Sequence, residues 1–142
     1  MWYLLAVVAA LAIAAFIVLR RRKNASFIAE NINSAVVITS PLNLEDPAYG
    51  TVSVKRLNGA RVRSFFTNQT TTAIYMKPGL NKLELQSLDH NSPVPINTLT
   101  PVETQVVSAE ANGRYTLRYS ISDRRYIFAK SNNPTLFGKY WR

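Results

Sequence analysis

Eighteen residues from Trp2 to Leu19 carry no charge, no glycine and no proline, and the next four are Arg20, Arg21, Arg22 and Lys23. As a helix, that run rises about 27 Å, close to the roughly 30 Å hydrocarbon core of a bilayer. Ten of its residues are Leu, Ile, Val or Phe, each favouring insertion by roughly 0.3–0.6 kcal/mol when central. Trp2 and Tyr3 stand at one end, where amphipathic rings prefer the headgroup level. A buried core helix fits less well, because it would be apolar on every side and long for so small a domain. A cleaved signal peptide is the other competitor, and Ala10-Leu11-Ala12 and Ala12-Ile13-Ala14 resemble cleavage sites. Such a peptide carries its cations before the apolar stretch, whereas here they follow it. Residues 1–23 are therefore expected to be a membrane anchor, with residues 2–19 in the lipid bilayer.

The four cations also orient the chain. By the positive-inside rule Arg20, Arg21, Arg22 and Lys23 stay cytoplasmic, which puts the N-terminus outside and the polar remainder in the cytoplasm of a single-pass cell-membrane protein. Each would gain about 1 kcal/mol near anionic headgroups. The alternative is an extracytoplasmic module. Ala6, Ala10 and Ala14 form a small-residue stripe, read as anchor filler rather than as a helix–helix contact.

Removing the anchor leaves about 120 residues, enough for one core. The net charge is +9, and the juxtamembrane cluster supplies four of the nine. The basic balance is thus partly an orientation device, and nucleic acid is a disfavoured partner. The absence of cysteine excludes disulfides, thiol catalysis and Cys-based metal sites.

Beyond a connector at residues 24–34, short alternating runs broken by turn residues predict a β domain over residues 35–130. "AVVIT" (35–39) reads as a first strand, followed by a Pro-containing loop through Tyr49. In "TVSVKRLNGARVRSFF" (51–66), Asn58-Gly59 supplies the positive φ angles of a type I′ hairpin. "TTAIYMK" (71–77), "NKLELQSL" (81–88), "TQVVSAE" (104–110), "RYTLRYSIS" (114–122) and "RRYIFAK" (124–130) follow. Residues 89–100, with Pro93 and Pro95, read as a long loop. About seven such strands predict an all-β fold, an Ig-like or prealbumin-like antiparallel β-sandwich.

The succession of a tight hairpin, "KPGLNKLEL" and "GRYTLRYSI" resembles small PEGA-like and carboxypeptidase-regulatory-like β-sandwich modules. The resemblance covers roughly residues 52–129; the proline-bearing stretch from Asp89 to Pro101 departs from their compact spacing. It implies a non-catalytic interaction module.

Catalytic chemistry finds no seat. His90 is the lone histidine and shares a loop with Asp89 and Ser92, without a frame to orient a base. Glu45-Asp46 is the one adjacent acidic pair, and no acidic calcium loop or phosphate-cradling glycine loop occurs. No catalytic, cofactor or metal residue is expected.

Three features point to binding. Lys55, Arg61, Arg63, Arg114 and Arg118 face outward in the two basic strand pairs, and would form one face for an anionic partner if those pairs share a sheet. Stacking aromatics are missing from that face. Arg124-Arg125 beside Asp123 reads as a turn with a local ion pair. The tail, residues 131–142, carries Phe137, Tyr140 and Trp141, which either fold back on the sandwich or dock elsewhere. Asn24-Ala25-Ser26 and Asn68-Gln69-Thr70 match the glycosylation pattern, which has no meaning on the cytoplasmic side. The expectation is a non-enzymatic adaptor or scaffold that binds an unidentified protein partner at the membrane, with weak contact to anionic lipids.

Overall fold

The computed structural model describes residues 1–40, 48–89 and 98–140. They form two compact units, residues 1–32 and 33–142. The first is a single helix, α1 (Trp2–Glu30), with no buried residue. It is long and apolar enough to cross a membrane. The helix runs on through the cations, so most of the expected connector is helical. It stops at Asn31, whose backbone N–H donates to the Ile28 carbonyl at 3.1 Å and whose side chain donates to the Phe27 carbonyl at 2.8 Å. These contacts satisfy two of the last carbonyls, which have no partner further along the helix.

The second unit is mostly β. Its described strands are β1 (Ala35–Ser40), β2 (Tyr49–Gly50), β3 (Val52–Leu57), β4 (Ser64–Phe66) and β5 (Thr72–Met76). The series continues with β6 (Gly79–Asp89), β7 (Thr98–Leu99), β8 (Glu103–Ala109), β9 (Arg114–Ser120) and β10 (Arg125–Lys130). Among the described residues there are ten strands where about seven were expected; β2 and β7 are only two residues long. The larger sheet has the order β10-β9-β1-β5-β4, with β2 also on β9. In the smaller sheet β3 pairs with β6, and so do β7 and β8 over successive stretches.

The antiparallel expectation is corrected at one place: β1 pairs with β9 in parallel, Val36 opposite Arg114. Most of the domain's sequence separates these two strands, so no tight turn forces them to run in opposite directions.

The two sheets share one apolar cluster. Val37, Ile74, Met76, Leu117 and Tyr119 of the larger sheet belong to it with Val52, Leu83, Leu85 and Ala109 of the smaller. Alternation explains β9: Tyr115, Leu117 and Tyr119 point inward, and two of them meet β10 rings, Tyr115 on Phe128 at 4.6 Å and Tyr119 on Tyr126 at 4.9 Å.

The hairpin expected over residues 51–66 is shorter than its pattern. Asn58 (φ 52°) and Gly59 (φ 82°) make the turn, and Leu57 and Ala60 exchange two backbone hydrogen bonds. There the pairing ends. Residues 61–63 cross to the larger sheet, where β4 pairs with β5. Val62 is drawn against the shared core on the way, and Phe65 lands on the far side of the larger sheet. Burial of those two side chains outweighs continued ladder pairing along β3.

The far side is covered by the C-terminal segment. A short helix, α2 (Pro134–Phe137), and a 3-10 turn, Gly138–Tyr140, lead Phe137 into full burial against Val36, Ile38 and Ala73. The Asn133 side chain caps α2 by accepting from the Thr135 N–H, with Pro134 at the first turn. The Thr67 hydroxyl donates to the Leu136 carbonyl at 2.6 Å. Residues 35–38 of β1 are consequently buried on both faces, which is why that stretch is continuously apolar rather than alternating.

Candidate functional site

A cleft of about 320 Å³ lies on the outer face of the larger sheet over β9 and β10. Its floor follows from strand geometry. With Tyr115, Leu117 and Tyr119 committed to the core, the alternate residues Arg114, Thr116, Arg118 and Ser120 face outward. Across the ladder Ile127 stands opposite Arg118, and Ala129 opposite Thr116. Thr116, Arg118, Ile127 and Ala129 line the cleft, bounded by Tyr49 and by Lys130, Ser131 and Asn132.

Tyr49 reaches this place because β1 and β2 share one edge of β9. β1 pairs with residues 114–116, and β2 takes over opposite Tyr119 and Ser120. The Arg118 guanidinium carbon then lies 5.2 Å from the centroid of the Tyr49 ring, in cation–π range. Its Nε is buried and has no hydrogen-bond partner among the described residues. A buried N–H left without an acceptor costs about 1–3 kcal/mol.

No acidic residue lines the cleft among the described residues. The carboxylates nearby are occupied at the edges of the domain. Glu110 accepts from Lys130 at 2.7 Å, and Asp123 stands 4.0 Å from Arg125, an exposed pair at the β9–β10 turn. The Glu110 hydrogen bond raises the Lys130 pKa. Beneath, burial raises the pKa of the Tyr126 phenol, partly offset by its contact with the Thr100 hydroxyl.

The single basic face expected from Lys55, Arg61, Arg63, Arg114 and Arg118 does not form. β3 belongs to the smaller sheet and β9 to the larger. Lys55 is exposed at a bulge of β3, where the register shifts between Val54 and Arg56. Arg61 and Arg63 are exposed on the segment that crosses between sheets, and Arg114 and Arg118 are half-buried on β9. What separates them is sheet membership: the common face required the two strand pairs to share a sheet, and β3 and β9 lie in different ones.

Arg20, Arg21, Arg22 and Lys23 are exposed on α1. Phe137 is 0 % exposed, and Tyr140 is half-buried with its ring 4.8 Å from that of Phe65. Trp141, His90, Glu45 and Asp46 lie outside the described residues. Thr116, Lys130 and Tyr49 were missed from sequence. The outward position of Thr116 follows from the alternation of β9, but nothing local marks Tyr49 as a partner for Arg118.

Comparison with protein families, curated proteins and solved structures returns no match to this chain.

Proposed function

We propose that the chain is a membrane-anchored, non-enzymatic adaptor whose β domain holds a protein partner at the membrane. In this reading residues 2–19 lie in the bilayer, Arg20 to Lys23 mark the cytoplasmic side, and the domain is an Ig-like or prealbumin-like sandwich. The observation that carries it is the pairing of an apolar helix without buried residues with a second unit that has its own core. Tethering raises the local concentration of a domain at its partner, so modest affinity suffices.

The sandwich class draws support from Tyr115. It stands at the start of β9, just after the chain passes from the smaller sheet to the larger, and its hydroxyl accepts from the Glu110 N–H at 2.9 Å. That is the geometry of the tyrosine corner of immunoglobulin-like domains. The likeness to PEGA-like and carboxypeptidase-regulatory-like modules points to the same non-catalytic role.

The opposite orientation, an extracytoplasmic module serving an envelope or membrane complex, draws on Asn68, exposed between β4 and β5 within Asn68-Gln69-Thr70. Two experiments decide. A reporter active only outside the cytoplasm, fused after Arg142, is expected to be silent; activity reverses the orientation. Crosslinking in native membranes is expected to trap a protein on the β domain, and recovery of lipid adducts alone defeats the adaptor.

A further inference from the structure

Phe137, Leu136 and Tyr140 of the C-terminal segment pack on the larger sheet with Val36 and Ile38 of β1 and Ala73 of β5. Arg118 stands instead in the cleft over β9 and β10. A guanidinium stacked on an aromatic ring is held in one plane, and its donors are set out in a rigid fork that matches a carboxylate. No acidic side chain among the described residues lines the cleft to pair with the Arg118 guanidinium. Lys130 adds positive charge, although Glu110 already holds it. Thr116, Ser131 and Asn132 bring neutral hydrogen-bonding groups to the same walls.

We infer that this cleft receives a carboxylate side chain from an acidic segment of the protein partner, with Arg118 as its counter-charge. The inference rests on the reading of the domain as a partner-binding module. Ile127 and Ala129 make part of the lining apolar, which suits the methylene stem of Glu or Asp. A phosphate headgroup asks for something different, a nest of free backbone N–H groups or several converging cations. Here β9 lies between paired neighbours, β10 on one edge and β1 and β2 on the other, which engages its backbone in ladders.

The test uses the full chain in detergent micelles and two labelled peptides with blocked ends, one alternating Glu and Thr and one alternating Gln and Thr. Fluorescence anisotropy at low ionic strength is expected to show binding of the Glu peptide and not of the Gln peptide. Arg118→Gln should weaken it roughly tenfold to a hundredfold, the range for a hydrogen bond to a charged group. Arg61→Gln, which removes the same charge outside the cleft, should leave it unchanged. Ala129→Phe, which fills the exposed cleft wall while keeping Arg118, should weaken it as Arg118→Gln does, so the result does not depend on one variant's folding. Failure of the Glu peptide to bind, equal binding of the Gln peptide, or equal losses in R118Q and R61Q would overturn the inference. Arg118-dependent binding to phosphatidylserine vesicles without peptide binding overturns it in favour of lipid. A partner crosslinked equally well by R118Q overturns the carboxylate site and leaves the adaptor standing.

Discussion

The guanidinium of Arg118 lies over the ring of Tyr49, 5.2 Å from its centroid, although the two residues come from strands far apart in the chain. The contact holds the one cation that faces the cleft from the middle of β9. Replacing Tyr49 by Ala should cost about 0.5–1 kcal/mol, the range for a half-exposed cation–π pair. Tyr49→Phe should cost little. Chemical denaturation of the full chain in micelles checks both, and equal losses in the two variants would assign the effect to the phenol hydroxyl instead.

The tail is expected to behave as part of the core. Phe137→Ala should destabilise the β domain by about 3–5 kcal/mol, as for other fully buried aromatics. Gly138→Ala should also be costly. Its φ is +51°, and a Cβ there would lie 2.6 Å from the Thr67 carbonyl oxygen, a backbone atom that cannot swing aside. Melting followed by circular dichroism measures both, and a tail that merely drapes the surface would leave the transition unmoved.

Tyr115→Phe removes the hydroxyl that accepts from the Glu110 N–H at 2.9 Å while keeping the ring on Phe128. The expected loss is about 1–2 kcal/mol, since the amide is left with only partial access to water. Hydrogen exchange should also quicken at Glu110 more than at Leu117. Unchanged exchange at Glu110 would mean that the corner does not fasten the chain where it passes between sheets.

Alkaline pH should weaken the domain. Tyr126 and Lys130 both have pKa values raised in the folded state, the first by burial and the second by its hydrogen bond to Glu110. Each holds its proton more tightly when folded, so its contribution is complete below its unfolded pKa and is lost as pH rises through the folded value. The loss should begin near about pH 10. Tyr126→Phe should flatten the fall, and the exposed Lys130 should contribute the smaller part. A pH profile of denaturation midpoints reads this directly, and a wild-type curve parallel to that of Y126F would reject the role of Tyr126.

Composition and local pattern alone determined a good deal. The uncharged run of residues 2–19 has the length and apolarity of a spanning helix whatever follows it, because hydrocarbon thickness sets that requirement. The inward register of Tyr115, Leu117 and Tyr119 was legible because side chains alternate every two residues, and Asn58-Gly59 marked its turn because few other pairs adopt two positive φ angles. Sheet membership was not legible. Whether residues 61–66 stay beside β3 or cross to β5 depends on where Val62 and Phe65 find burial, and those partners are remote in sequence. The parallel seating of β1 on β9, the burial of Phe137 from a tail that could equally have stayed free, and the meeting of Tyr49 with Arg118 are decisions of the same kind. Each is a contact between segments whose separation along the chain carries no local signal, so only tertiary packing could bring it about.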